Sequence, residues 1–408
     1  MKQLHRAFFR PFVTTLVAAV GLLAAPEIAE SRAWGFGGQC GPVGSSRLLA
    51  PQPVESRSFP PTGSTYPEGI AVLGDRILVS GPGTFYTAGN GSPSQLTVFD
   101  RKTGAFQQVV KVKGEDLNQE HNLSELSTWM NYAYSPSNQL GVLRWKFSDD
   151  GTAPVQESYS APFYPVTDAA TGRITNSQCP SNLRPGLPPL VNGIDVDIDG
   201  DVYVTDSFQG VIWRVPGPFL KRTPITPEVL FCSRALQGSG DSGVSLFGAN
   251  GIAVIGSYLY VSVSYGPNDT STGAPTSVIY RLRKNHPDCL ERVYTYRPAQ
   301  VAPGVYVPPL ADGLRFDPKS GHLFVVLSGH NQISELRLTW QGAEEVTRYS
   351  RATADHPFQG PSTIAFGPDD SAYVNNHAAG CCLDGDTNPS CYCQSAADYF
   401  GVIQLCVQ

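Results

Sequence analysis

Charge is scarce in this chain of 408 residues: 16% are Asp, Glu, Lys or Arg, and the balance is −6 at pH 7. Basic side chains nowhere gather into a run or stripe. A phosphate backbone is held by such a patch, so nucleic-acid recognition is excluded as the main role. No apolar stretch reaches the ~20 residues of a spanning helix. Gly-x-Ser-x-Gly, the nucleophile elbow of serine hydrolases, is missing. His121, His286, His322, His330, His356 and His377 are scattered without metal-ligand spacing. Turn and strand formers are plentiful instead, with 41 Gly, 34 Pro, 19 Phe and 18 Tyr, and a 41% apolar share spread along the chain. That profile argues for many short strands and turns, and against a helical bundle, a coiled coil or a disordered chain. At ~150 residues per domain the length suggests two or three domains, but all-β domains commonly run longer.

Residues 1–33 have the layout of a secretory signal. Lys2, Arg6 and Arg10 form a basic start, residues 12–25 are apolar, and Ser31-Arg32-Ala33 offers small residues for cleavage. The apolar part, 14 residues, is short for the alternative, a membrane anchor. Residues 34–408 are then expected as one secreted, extracellular, monomeric domain that meets no membrane. An oxidising compartment favours disulfides for its nine cysteines. The adjacent pair Cys381-Cys382 and the Cys391-x-Cys393 spacing in the Cys-rich segment 377–408 suit zinc poorly. The disulfide candidates are Cys40, Cys232, Cys289, Cys381, Cys382, Cys391, Cys393 and Cys406, with Cys40 expected to link to the C-terminal group. The odd count leaves one thiol over, for which Cys179 is the candidate. Asn90, Asn122 and Asn268 lie in glycosylation sequons.

Self-similarity decides the fold. Pro67-Glu68-Gly69-Ile70-Ala71-Val72 is followed by Arg76-Ile77-Leu78-Val79-Ser80. The same phrase returns at Asn192-Gly193-Ile194, Asn250-Gly251-Ile252 and Asp312-Gly313-Leu314, and weakly at Ser362-Thr363-Ile364. Each copy predicts a strand, a tight turn and a second strand. Third strands follow near 211–215, 278–282 and 333–338, and fourth strands near 228–231, 292–296 and 345–349. Four antiparallel strands make a propeller blade. The phrase recurs after 58, 62 and 50 residues from Asn192 to Ser362, whereas Glu68 and Asn192 are 124 apart. A degenerate blade therefore belongs between them, with strands in 129–134, 141–147 and 155–159. An all-β, six-bladed propeller results. Its last blade is one strand short at the C-terminus, and residues 47–59 are expected to supply that strand. A Pro-rich insert, near 160–190, precedes the third blade.

The first residue of each inner strand faces one end of the central channel. Glu68, Asn192, Asn250 and Asp312 would place two carboxylates and two amide oxygens around one axis. Oxygen donors of this kind suit a hard divalent cation, Ca²⁺ first, with Mg²⁺ or Zn²⁺ as alternatives.

On these phrases the chain resembles the gluconolactonase family, the regucalcin-like or senescence-marker propellers, with NHL-like blades. The resemblance implies a central divalent metal and lactone hydrolysis on a small-molecule substrate in the channel. It implies Glu68, Asn250 and Asp312 as metal ligands, Asn192 as a metal- or substrate-binding residue, and Asp312 as the catalytic base. Glu68 lacks the Pro and Trp that usually follow the family's Glu-Gly, and no substrate-orienting Arg is evident in the sequence. Two alternatives stay open. NHL-like extracellular propellers that bind a ligand or protein without catalysis also begin blades with a polar residue and Gly. A strictosidine-synthase-like enzyme would work in the same channel without metal.

Two further motifs resolve into structure. Asp195, Asp197, Asp199, Gly200 and Asp206 fall at EF-hand loop positions, but their strand-like flanks predict a blade hairpin. His330 and His377 follow second strands and are predicted near an end of the channel, where paraoxonase-type lactonases keep histidine bases; surface loops are the simpler expectation.

Overall fold

Runs of β-branched and aromatic residues broken by Gly-Asp and Asp-Gly corners become short strands in a computed structural model. It describes residues 46–51, 67–83, 88–89, 92–148, 153–217, 224–350, 358, 360–368, 370–376 and 401–407. Six four-stranded antiparallel sheets form the blades. The first holds β2 (Ile70–Leu73), β3 (Arg76–Gly81), β4 (Gln95–Asp100) and β5 (Phe106–Lys111). The second holds β6 (Ser127–Trp129), β7 (Tyr132–Ser137), β8 (Gly141–Lys146) and β9 (Val155–Ser158). The third holds β10 (Val191–Val196), β11 (Val202–Asp206), β12 (Val211–Val215) and β13 (Glu228–Cys232). The fourth holds β14 (Ala249–Ile255), β15 (Tyr258–Val263), β16 (Ser277–Arg283) and β17 (His286–Tyr296). A small hairpin, β18 (Ala299–Ala302) and β19 (Val305–Val307), leads to the fifth blade. That blade holds β20 (Ala311–Asp317), β21 (His322–Leu327), β22 (Gln332–Thr339) and β23 (Gly342–Ser350). In the sixth, β24 (Pro361–Phe366), β25 (Ser371–Asn376) and β26 (Gly401–Cys406) are completed by β1 (Ser46–Pro51) from near the N-terminus. The expected closure is therefore present, with Arg47 opposite Gln404 and Leu48 opposite Ile403. Such sealing removes an exposed sheet edge.

The degenerate blade differs in detail from expectation. The stretch 129–134 is split by a turn at Met130 and Asn131, between the paired Trp129 and Tyr132. Residues 195–206 form the β10–β11 hairpin. Within it Asp197 accepts the backbone N–H groups of Asp199 (2.9 Å) and Asp201 (3.0 Å) and pairs with Lys284 at 2.6 Å, tying the third blade to the fourth.

The core is divided among six clusters, each lying between neighbouring blades. Ile70, Ile77, Val79 and Phe99 of the first blade meet Ala365, Tyr373 and Val402 of the sixth. Tyr134 and Val142 of the second meet Ile194, Val204 and Trp213 of the third. Middle strands are covered on both faces, which is why Ile77-Leu78-Val79 and Leu323 to Leu327 are continuously apolar and buried.

The insert packs onto the third blade: Phe163, Val166 and Leu183 join Trp213 in one cluster. Gln209 fixes it by accepting from Val166 N at 2.7 Å. This fold-back brings Cys179 against β13, where it is bonded to Cys232 with Cα atoms 5.3 Å apart. Cys179 is thus not the leftover thiol. Cys289, expected in a disulfide, is instead the free cysteine among the described residues, exposed on the outer strand β17. Cys406 is disulfide-bonded, while Cys40, Cys381, Cys382, Cys391 and Cys393 lie outside the described residues, as do residues 1–33. Asn122 is also corrected as a glycan acceptor. It is buried, and its amide donates to Ser124 Oγ at 2.6 Å and accepts from Asn138 N at 2.8 Å. Asn268 is exposed, and Asn90 lies outside the described residues. No helix among the described residues is long and apolar enough to cross a membrane.

The glycine that follows Glu68, Asn192, Asn250 and Asp312 is required by crowding between blades. A Cβ on Gly69 would lie 2.6 Å from Ser124 O, on Gly251 2.5 Å from Asp312 O, and on Gly313 2.7 Å from Ser362 O. None of these glycines has a positive φ, so close approach and not turn geometry selects them. Gly251→Ala is expected to cost about 1–3 kcal/mol through overpacking, read as a lower urea midpoint at unchanged slope; wild-type stability would contradict the account.

Candidate functional site

The inner strands β2, β6, β10, β14, β20 and β24 contact one another in sequence around the axis, and β24 returns to β2. Their backbones are held in place by hydroxyl and amide groups of the adjoining blade. Ser80 Oγ donates to Ser124 O, and Thr205 Oγ1 donates to Asn250 O. Ser262 Oγ donates to Asp312 O at 2.7 Å, Ser328 Oγ to Pro361 O at 2.6 Å, and Asn375 Nδ2 to Glu68 O at 2.8 Å. Ser124 Oγ, donating to Val191 O at 2.9 Å, completes the ring between the second and third blades. By this pattern Ser124 is the second blade's channel-end residue. The repeat search missed it because Glu125-Leu126 stands where other blades have Gly-Ile or Gly-Leu.

The predicted residues sit at one end of the channel. Glu68, Asn192 and Asn250 are buried and Asp312 half-buried. Asn192 Nδ2 donates to Ser207 Oγ at 3.3 Å, and Asn250 Nδ2 to Ser264 Oγ at 3.0 Å. These hydroxyls in turn donate to Ala249 O and Ala311 O, at 2.6 and 2.8 Å. Each amide nitrogen thus has a hydroxyl partner, and the Asn250 side chain also hydrogen-bonds the Asp312 carboxyl. Asp312 Oδ2 lies 2.8 Å from Ser328 Oγ, whose single proton is shared between that carboxyl and Pro361 O.

Electrostatics ties the carboxylates together. Burial, then Asp312 and Glu125, push Glu68 well above the usual carboxylate range. Burial lifts Asp312 to about 7, against the pull of Ser328 and Asn250. Glu125, absent from the sequence-based set, rises to about 8 through burial, opposed chiefly by Arg315. Like charges crowded in a poorly hydrated site favour protonation or a cation. The donor types fit a hard cation, since Glu68, Asn192, Asn250 and Asp312 each carry a side-chain oxygen. Among the described residues no three His, Cys, Asp or Glu side chains cluster in metal-holding fashion, so a cation here would depend on the amide oxygens as well.

Deeper in the channel, Arg315 of β20 crosses to the opposite blades. Its guanidinium reaches Glu125 Oε1 at 3.3 Å, Leu126 O at 2.7 Å and Asp195 Oδ1 at 3.4 Å. Arg315 and Asp195 occupy the repeat position held by Ala71, Ala253 and Ala365 in other blades. Charged residues at an otherwise alanine position were the available signal for both. His330 is half-buried near the same end, with Nε2 against Val307 O at 3.1 Å. Burial lowers its pKa. His377 lies outside the described residues.

No protein-family model matches the sequence, and a search of curated proteins finds no match. Solved structures do match. The aldose sugar dehydrogenase of Streptomyces coelicolor, in its PQQ-bound form, is 13% identical, covering 89% of this chain and 97% of its own, with a TM-score of 0.48. Virginiamycin B lyase of Staphylococcus aureus is 12% identical over 89% and 98%, with a TM-score of 0.44. A luciferin-regenerating enzyme is 14% identical over 84% and 92%, with a TM-score of 0.47. What the chain itself defines is a six-bladed β-propeller with a polar, carboxylate-bearing channel end.

Glu125 carries a proton in the fold between its unfolded pKa near 4.5 and about 8, whereas the unfolded chain has released it. Unfolding in that window therefore releases a proton, and stability should fall as pH rises, by up to about 1.4 kcal/mol per pH unit per proton. Glu68 and Asp312, also raised, act in the same direction. Melting temperatures in EDTA are expected to drop from pH 5 to pH 8, and added Ca²⁺ to flatten that slope. A melting temperature that rises over this interval in EDTA would contradict the assignment.

Proposed function

We propose that this propeller is an exported, divalent-cation-dependent hydrolase of the gluconolactonase type, opening a cyclic ester at the Glu68–Asp312 end of its channel. The observation that carries the reading is the meeting of Asn192 and Asn250 with two carboxyls. Ser207 and Ser264 take one amide hydrogen from each, and Asn250 also bonds Asp312, which lies close enough to Glu68 to raise it; two amides and two carboxyls so share one channel end. Glu68, Asn192, Asn250 and Asp312 would hold the cation, Ca²⁺ by the hardness of the donors. When bound, such an ion polarises an ester carbonyl and lowers the pKa of a nearby water.

Asp312 is the residue assigned to proton transfer. Its carboxyl is raised to about 7 in the cation-free channel; a bound divalent ion would draw it lower and leave it ionised, ready to accept the proton of the attacking water. Ser328 Oγ, bonded to Oδ2, fixes the carboxylate plane. Hydrolysis of a ring ester by water needs no covalent nucleophile, in keeping with the missing serine elbow. Export rests on the signal-like residues 1–33 and agrees with the Cys179–Cys232 disulfide.

The test is a panel of sugar and aliphatic lactones assayed with Ca²⁺, Mg²⁺ or Zn²⁺. Turnover is expected from the wild type, is lost in EDTA, and falls about 10²–10⁴-fold in Asp312→Ala. Asn250→Ala should raise the calcium concentration needed for half-maximal rate. A wild type inactive on every lactone with every ion would overturn the catalytic reading and leave a ligand-binding propeller. Unchanged turnover in Asp312→Ala would remove that residue from its role.

A further inference from the structure

Arg315 has no role in the proposed chemistry, yet its guanidinium joins blades on opposite sides of the channel. It leaves the fifth blade and meets three oxygens on the second and third: Glu125 Oε1, Leu126 O and Asp195 Oδ1. Those oxygens are held in place independently of it. Ile194 N donates to Glu125 Oε2 at 3.1 Å. Ser127 Oγ and Val196 N donate to Asp195 Oδ1 at 2.8 and 3.0 Å, and Val254 N to Asp195 Oδ2 at 2.8 Å. Leu126 is an inner-ring residue whose N lies against Gly69 of the first blade.

The arrangement is thus an oxygen cradle assembled by backbone and hydroxyl donors of the second, third and fourth blades, with a side-chain cation inserted from the fifth. Two carboxylate oxygens and one peptide carbonyl are the donor types that hard divalent ions take. A guanidinium there satisfies the same oxygens with one positive charge carried by the chain itself.

We propose that Arg315 is the channel's resident cation: it occupies an oxygen cradle that would otherwise take a divalent metal ion, and so limits metal binding to the channel end. Arg315 is accordingly a positioning residue. It acts on how many ions the channel holds and where they sit. The ion at the channel end rests on the function proposed above; the cradle that Arg315 fills does not.

The experiment counts ions. Full-length wild type, Arg315→Met and Arg315→Lys are stripped with EDTA and equilibrated by dialysis against Ca²⁺ at pH 8. Bound calcium per chain is then measured by elemental analysis, with circular dichroism as the folding control. Arg315→Met is expected to hold one more calcium per chain than the wild type, and Arg315→Lys the wild-type number. Adding Glu125→Gln and Asp195→Asn to Arg315→Met should abolish the extra ion. If Arg315→Met folds only when calcium is present, and loses this rescue with Glu125→Gln and Asp195→Asn, the proposal is upheld by that route. A folded Arg315→Met with the wild-type count, or one that calcium fails to fold while Arg315→Lys folds normally, overturns it. A wild type with no calcium and a variant with one would uphold the cradle while refuting the channel-end site. One ion in both would do the reverse.

Discussion

Six inner strands converge on one axis, and their backbones must pack closer than ordinary side chains permit while still bonding their carbonyls. The solution is a ring of hydroxyl and amide donors, each from one blade to the next blade's inner strand: Ser80, Ser124, Thr205, Ser262, Ser328 and Asn375. A buried carbonyl left without a donor costs more than a made bond returns, so each hydroxyl fixes the spacing and register of its neighbour. The Gly residues at 69, 193, 251 and 313 are the complement of that contact, since a Cβ there would strike the adjoining backbone.

The chemistry of the channel end follows from the same constraint. With the glycine at the second position, the residue before it is carried to the channel end. Serines of the second strands' ends do double duty, bonding a neighbour's carbonyl and orienting an asparagine amide, as Ser207 and Ser264 do. Carboxylates placed in this belt are taken out of water. Burial therefore lifts Glu68 and Asp312, and their proximity lifts Glu68 further. Arg315 offsets the charge one layer deeper, where Glu125 and Asp195 face each other's blades. The channel thus carries raised carboxyls at one end and a guanidinium in its interior.

Blade architecture was legible in the repeat because each copy must restate the same packing problem. Gly followed by Ile or Leu, a turn, and a continuously apolar second strand are demanded by burial on both faces. Even the closure by a strand near residue 47 could be inferred from the missing partner of β26. The second blade was the hardest to see. Its channel-end phrase has no glycine, and Ser124 is recognisable only from the hydroxyl that Ser80 sends to its carbonyl. Cysteine pairing was illegible for a different reason: Cys179 and Cys232 are 53 residues apart, and only the folding of the insert onto Trp213 brings them together. Asn122 shows the same limit, since a sequon carries no information about burial.

Local pattern by itself determined the strands, the blade count and the four polar residues at the channel end, because strand period, turn chemistry and repeat spacing are properties of neighbouring residues. Which oxygens of those residues are available, how far their carboxyls are raised, and the crossing of Arg315 to Glu125 and Asp195 were decided by tertiary structure alone. Each depends on groups brought from other blades: Ser207 and Ser264 behind the amides, Asp312 beside Glu68, and residues 190 and 120 positions away in sequence from the arginine that joins them.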